Sequence, residues 1–372
     1  MEIVNMDYSQ KLGFGFMRLP VSGPERTVDV NATCEMADRY LDNGFKWFDT
    51  AKPYHGGLSE KYLNQCVISR HDRDKLLIAD KLTQWFLKDG ITPEQFIQDQ
   101  LTATGAGYFD RYLLHAMDKQ KSKEADDSGL WDFLFSLKDH GIAKNVGFSF
   151  HDTADVLDQI LTKHPDVDFV QLQINYIDWD NVSIQSRLCY ETARKHNKPI
   201  IVMEPVKGGM LASLSDEAQK ILDAPGKSAA SWALRFAASL PGVETVLSGM
   251  SDNAQLDDNM NTIKNFTPLT DEERARLDKV CELLNSIPLA PCTRCNYCVE
   301  KCPVELPIPN LIGVLNSYRQ FGISEGVNSS YRWYSRNHKP AECLECGKCA
   351  KECPQHLNIP ALMKELADAK LG

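Results

Sequence analysis

Residues 145–174 read NVGFSFHDTADVLDQILTKHPDVDFVQLQI. The stretches 145–150 and 169–174 are short and apolar, and 153–163 between them has the spaced apolar residues of an amphipathic helix. Strand, helix, strand in that order is the unit of a parallel sheet, because parallel neighbours need a crossover connection. The unit recurs on both sides. Further strands are predicted at 12–19, 46–50, 76–82, 111–117, 200–204 and 245–249, and helices at 31–43, 59–69, 93–104, 129–140, 183–196, 227–239 and 253–264. Thr92 before Pro93, and Ser228 ahead of a helix-forming run, are helix-start signals. Eight strands each followed by a helix predict an α/β chain built as a (β/α)8 TIM barrel. A doubly wound sheet would carry a GxGxxG turn after its first strand, and the sequence has none.

A further helix at 271–286 has an acidic start and stops before Pro288, which predicts a barrel domain over 1–288. The remainder, 289–372, contains an internal duplication: CTRCNYCVEKCPVELPIPNLI from Cys292 returns as CLECGKCAKECPQHLNIPALM from Cys343. Helix-compatible segments follow each Cys-Pro, and 310–318 has a helical pattern, so this second domain is expected to be small and mainly α-helical, of ferredoxin type.

Each copy is a C-x2-C-x2-C-x3-C-P run, the bacterial arrangement for [4Fe-4S] clusters, whose soft thiolate ligands suit iron. In two-cluster ferredoxins the fourth cysteine of each run serves the other cluster. Two clusters are therefore predicted, one on Cys292, Cys295, Cys298 and Cys353, the other on Cys343, Cys346, Cys349 and Cys302. Thiolate zinc is the competing reading, but zinc has no use for two complete runs each closed by Cys-Pro. Cys34, Cys66, Cys189 and Cys281 are scattered, with no close cysteine partner or nearby His in sequence, and are read as buried apolar side chains without a role.

The composition, 43% hydrophobic and 25% charged, is that of a globular chain able to bury a large core. The formal charge of −10 argues against a nucleic-acid partner, which would need clustered Lys and Arg. From Pro288 onward ten Lys/Arg face eight Asp/Glu, so that segment is +2 and the rest −12. Cluster charge would be compensated there. The start, MEIVNMDYSQKLGFGFMRLP, lacks a basic and apolar export signal, and no run is long enough to span a bilayer, so a cytoplasmic protein without membrane attachment is expected.

A barrel carries its chemistry at the C-terminal ends of its strands. Asp49 and Tyr54 follow the second strand in WFDTAKPYHGGLSE, Lys81 closes the third in LLIADKL, and His115 ends the fourth in DRYLLHAM. A tyrosine with pKa near 10 is a poor acid–base catalyst unless a cation such as Lys81 lowers it, with Asp49 to hold the ammonium.

With these residues placed, the stretch from LGFGFMRLP to LDDNM, about two thirds of the chain, resembles the aldo-keto reductases. The resemblance implies an enzyme moving hydride between a nicotinamide and a small carbonyl or alcohol, with Tyr54 as proton donor, Lys81 and Asp49 tuning it and His115 orienting the substrate. It also implies a nicotinamide pocket at Ser149, Gln173, Met203, Ser248, Gly249, Gln255 and Asn259. Phe150 stands where many members have Asn, and Met203 where many have an aromatic ring. Gly249 and Gln255 replace the Lys and Arg that often hold the 2′-phosphate of NADPH, so NADH is expected to serve at least as well. Trp85, Phe86 and Trp179 suggest an aromatic substrate lining. The alternative is an electron-transfer protein coupling its clusters to a flavin or another acceptor in the barrel, with a redox protein as partner.

Overall fold

The computed structural model describes residues 8–23, 26–87, 90–222 and 227–372; residues 1–7 of the amino-terminal stretch quoted above lie outside them. Ten strands occur among the described residues: β1 (Leu12–Gly15), β2 (Val21–Ser22), β3 (Thr27–Val28), β4 (Trp47–Asp49), β5 (Leu77–Leu82), β6 (Phe109–Met117), β7 (Ala143–Phe150), β8 (Phe169–Gln173), β9 (Ile200–Met203) and β10 (Val243–Ser248). Eight of them close a parallel barrel in the order β1-β10-β9-β8-β7-β6-β5-β4, and β2 and β3 form a small antiparallel ribbon. The (β/α)8 reading of the sequence is borne out.

The predicted helices appear with their signals in use. Thr92 accepts a hydrogen bond from the Gln95 amide at the start of Pro93–Thr104, and Ser228 does so from the Ser231 amide, 2.9 Å away. Asp271–Asn285 opens on a reciprocal capping box between Thr270 and Glu273. Among the helices that the sequence reading did not place are Lys119–Asp127, Asp216–Leu222 and Glu325–Tyr334. Lys119–Asp127 is almost wholly polar and so shows no apolar periodicity, and Glu325–Tyr334 lies in the segment between the two cysteine runs.

Barrel strands alternate inward and outward side chains. One buried layer is formed by Trp47, Ala79, Leu113, Phe169, Ile201 and Leu247, with Leu77 packed against it. Gly147 completes it, because a Cβ there would come within 2.3 Å of the Phe169 carbonyl oxygen. Two residues beyond Trp47, Ala79 and Leu113 the same face of the strands presents Asp49, Lys81 and His115.

By internal contacts the chain forms two compact units. The first, through residue 180 and with 184–205 and 234–268, holds every barrel strand. The second comprises 181–183, 206–233 and 269–372. Its core gathers Met210, Leu306, Ile308, Leu311, Ile312, Leu315, Val327, Ile359, Met363 and Leu366. Within it, Gly326 lets Glu325–Tyr334 press onto the turn at Gly208, where a Cβ would sit 2.7 Å from the Gly208 carbonyl oxygen. Among the described residues no helix is long and apolar enough to cross a membrane.

Candidate active site and cysteine centres

Lys81 is fully buried at the end of β5. Its Nζ donates to Asp49 Oδ1 at 2.6 Å and to the Thr50 carbonyl at 2.7 Å. It also lies 5.0 Å from the centre of the Tyr54 ring, close enough to act on the phenol electrostatically. Burial alone would lower the lysine pKa, but Asp49 and Tyr54 outweigh it and hold the ammonium above its ordinary value. Burial raises Asp49 and Lys81 pulls it back. Tyr54 sits on the turn after β4, where His55 (φ 49°) and Gly56 (φ 64°) adopt left-handed backbone.

Burial also raises the Tyr54 pKa, by more than Lys81 lowers it. The expectation that the cation brings the phenol below its ordinary value is thus corrected for the ligand-free site: desolvation is the larger effect, and the hydroxyl keeps its proton at neutral pH. His115 is held well below its ordinary pKa, first by burial, then by Lys81, His151 and Lys121, and is neutral. Its ring meets Tyr54 edge-on at 6.1 Å and Trp85 at 5.3 Å. Nδ1 lies 3.1 Å from Thr83 Oγ1. Thr83 was not singled out in the sequence; its place two residues beyond Lys81, on the same side of the chain, was the available signal.

The structure therefore brings Asp49, Tyr54, Lys81 and His115 together. Of the aromatic candidates, Trp85 lies beside His115 and near Phe86, whereas Trp179 packs edge-on against Phe236 at 5.4 Å.

The proposed nicotinamide contacts are less uniform. Ser149 Oγ accepts from the Ala116 amide at 2.7 Å, and Gln173 Nε2 donates to Asp178 at 3.1 Å. Gln171, two residues earlier on β8, is buried; its Nε2 contacts the Met203 sulfur at 3.5 Å and its Oε1 has no partner. A buried amide with an unmet acceptor suits a ligand amide better than one already committed to a carboxylate. Asn259 Nδ2 donates to Ser248 Oγ at 2.9 Å. Gln255 is folded back, bonding Asp252 through Nε2 and accepting the Ser251 amide on Oε1. Gly249 lies under the side chain of Arg18.

The eight C-terminal cysteines fall into two concavities. One is lined by Cys292, Cys295, Cys298 and Cys353 with Pro309, Ile312 and Leu357. The other is lined by Cys302, Cys343, Cys346 and Cys349 with Leu306, Ile308 and Met363. The duplication extends to the backbone. Arg294, Asn296 and Glu305 in the first copy, and Glu345, Gly347 and His356 at the matching positions of the second, all have φ between 50° and 69°. Four thiols around one concavity are what a cluster's four corners would need.

One reading of the scattered cysteines is corrected. Cys34 and Cys66 form a disulfide, brought together where Val30–Asp42 packs on the π-turn Asn64–Ile68. Thirty-two residues separate them, so the pairing depends on tertiary packing and not on any spacing rule. Cys189 matches the apolar reading, its thiol pushed up to about 12 by burial.

The chain belongs to the aldo/keto reductase family: residues 11–282 match that family's profile, and residues 291–357 match the 4Fe-4S dicluster domain. Among solved structures it is similar to aldo-keto reductase AKR11C1 from Bacillus halodurans in its holo form, at 22% identity, covering 73% of this chain and 91% of that one with a TM-score of 0.59. It is also similar to the aldo/keto reductase from Klebsiella pneumoniae in complex with NADP and acetate, at 20% identity, covering 72% and 90% with a TM-score of 0.57. At these identities the likeness is one of fold. A stretch of 129 residues is 29% identical to norsolorinic acid reductase stcV of Emericella nidulans, and the match spans 31% of this chain and 32% of that protein.

Proposed function

We propose that the barrel reduces a small carbonyl compound, or oxidises the corresponding alcohol, with a nicotinamide cofactor. The carrying observation is the fully buried Lys81, bonded to Asp49 and set 5.0 Å from the centre of the Tyr54 ring. Tyr54 holds the proton that a carbonyl oxygen would take. Lys81 stabilises the phenolate left behind, and Asp49 keeps the ammonium charged and aimed. Neutral His115, with Thr83 on Nδ1, is placed to donate from Nε2 to the substrate oxygen. The nicotinamide, when bound, supplies or takes the hydride. Ser149, Gln173, Met203, Ser248, Gly249, Gln255 and Asn259 are proposed to line its site, and we add Gln171 on its unmet Oε1. Replacing Tyr54 with Phe should lower kcat by about 10²–10⁴-fold and leave cofactor affinity nearly unchanged. Near-normal turnover would remove Tyr54 from the role.

Residues 1–288 are assigned as the catalytic part and 289–372 as the cluster part, with [4Fe-4S] sites at Cys292, Cys295, Cys298, Cys353 and at Cys343, Cys346, Cys349, Cys302. The four-sulfur linings support this ligand set. The clusters, when present, exchange single electrons. That chemistry favours a second reading, in which a flavin or a redox protein partner links hydride to single electrons. Turnover with NAD(P)H alone in a folded variant lacking Cys292, Cys295 and Cys298 separates the two: a persisting rate supports the first, a collapse with cofactor binding intact supports the second.

A further inference from the structure

Strand β5 outruns its neighbour β4. The pairing between them ends at Asp49 opposite Ala79, and just beyond it the Thr50 amide donates to the Ala79 carbonyl at 3.0 Å. Backbone polar groups alternate between the two neighbours along a strand, so the amide and carbonyl of Lys81, two residues further on, face the side where β4 has stopped. Buried there, they need other partners. Asp80 Oδ1 accepts the Lys81 amide at 2.8 Å, and Gln100 Nε2 donates to the Lys81 carbonyl at 3.1 Å. Two side chains thus stand in for the missing strand at the residue that carries the ammonium.

Gln100 comes from the helix Pro93–Thr104 and is 1% exposed. Its Nε2 also donates to Glu60 Oε1 at 2.9 Å, and its Oε1 accepts from the Tyr112 hydroxyl at 2.5 Å. A flipped amide would set its oxygen against the Glu60 carboxylate and the Lys81 carbonyl, so one orientation is fixed. Glu60 is itself fully buried, with Lys52 Nζ 3.5 Å from its Oε2. From this anchored backbone the Lys81 side chain reaches Asp49 Oδ1 at 2.6 Å and the Thr50 carbonyl at 2.7 Å, and its Nζ stands 5.0 Å from the centre of the Tyr54 ring. Charge stabilisation falls with distance, and a shift of about 1 Å at a reacting group can cost about 10²-fold in rate.

We propose that Gln100 is a positioning residue for the reaction: its amide, oriented by Glu60 and Tyr112, replaces the absent strand at the Lys81 carbonyl and so sets where the ammonium stands relative to Tyr54. This rests on the carbonyl-reduction reading above. Gln100 acts only through Lys81.

The test is turnover of small aldehydes, benzaldehyde among them, with NADH by the full-length, cluster-loaded protein, alongside calorimetric titration with NADH. Gln100→Met keeps the volume and removes the amide. Tyr112→Phe leaves the amide but frees its oxygen, and decides the matter if the first variant does not fold. Leu134→Ala truncates a fully buried leucine of the helix Leu130–Asp139 and supplies a destabilised barrel with Gln100 intact. Per folded molecule, kcat should fall about 10–100-fold in Gln100→Met and about three-fold or more in Tyr112→Phe, NADH affinity should change by less than about two-fold in both, and Leu134→Ala should keep the wild-type kcat. Wild-type kcat in Gln100→Met or Tyr112→Phe, a matching loss in Leu134→Ala, or a fall in NADH affinity equal to that in kcat overturns the proposal. Tyr54→Phe measured in parallel separates this from the reading beneath it. If Tyr54→Phe loses turnover while the Gln100 and Tyr112 variants keep it, only the positioning role fails; if wild type shows no turnover, or Tyr54→Phe shows normal turnover, the carbonyl-reduction reading fails and the positioning role with it.

Discussion

Lys81 Nζ lies 2.6 Å from Asp49 Oδ1, and both side chains are buried. The second Asp49 oxygen, Oδ2, has no partner. The ammonium is thus the main compensation for that carboxylate, and removing it strands a charge away from water. Lys81→Met should destabilise the barrel by about 3–5 kcal/mol and abolish most turnover, whereas Lys81→Met with Asp49→Asn should recover much of the stability and none of the activity. Chemical denaturation of both variants checks this. A single variant as stable as wild type would mean that Asp49 is already neutral.

The pH dependence follows from two opposite shifts. Tyr54 must be protonated to donate, and its pKa is raised by burial, so carbonyl reduction should fall only when the pH rises above 10. His115 must be neutral, and its pKa is well below 6.5, so the acid limb lies well below that value. Reduction measured at saturating substrate should be nearly flat from pH 6.5 to 9. A tyrosine-linked fall inside that window would show that bound ligand restores the dominance of Lys81.

On the outer side of β5, behind Lys81, lies a buried acid cluster. Asp80 and Glu60 are both fully buried. Asp80 Oδ1 accepts the Lys81 amide at 2.8 Å and Oδ2 has no partner. Gln100 Nε2 donates to Glu60 Oε1 at 2.9 Å and to the Lys81 carbonyl at 3.1 Å, and Tyr112 donates to Gln100 Oε1 at 2.5 Å. Burial, then Glu60, raises the Asp80 pKa well above its ordinary value. A folded-state pKa above the unfolded one gives stability that is full below the unfolded pKa and is lost as the pH rises toward the folded pKa. Asp80→Asn keeps the Oδ1 acceptor and cannot ionise. It should therefore raise Tm at pH 8 relative to wild type, by about 2–4 °C per kcal/mol gained, and by less at pH 5. A variant destabilised more at pH 8 than at pH 5 contradicts the assignment.

For the cysteine centres, Cys353→Ser should damage the cluster built on Cys292, Cys295 and Cys298 and spare the one on Cys343, Cys346 and Cys349, although Cys353 adjoins the latter in sequence. Iron content and electron paramagnetic resonance of the reduced variant distinguish the two sites. Loss of the second cluster alone would uncross the ligands.

The barrel was legible because short apolar runs alternate with amphipathic helices at regular intervals, so Asp49, Lys81 and His115 could be assigned to strand ends before any coordinate was known. The cysteine runs were legible because their ligands are local. What stayed hidden is what several elements build jointly. Glu60, Asp80, Gln100 and Tyr112 come from four elements, each of which presents an ordinary polar residue, and only packing makes them a network. The Cys34–Cys66 bond has the same origin. The sign of the Tyr54 shift depends on how deeply the ring is desolvated, a quantity that no motif encodes.

In each concavity three sulfurs come from one cysteine run and the fourth from the other. If these linings are the ligand sets, neither site can be finished while either run is unfolded, and iron uptake at one site would report on the folding of both copies. It also follows that a protease cut between the runs would not free the pieces of a loaded protein: the inorganic cores would rivet them together, and separation would have to await the loss of iron.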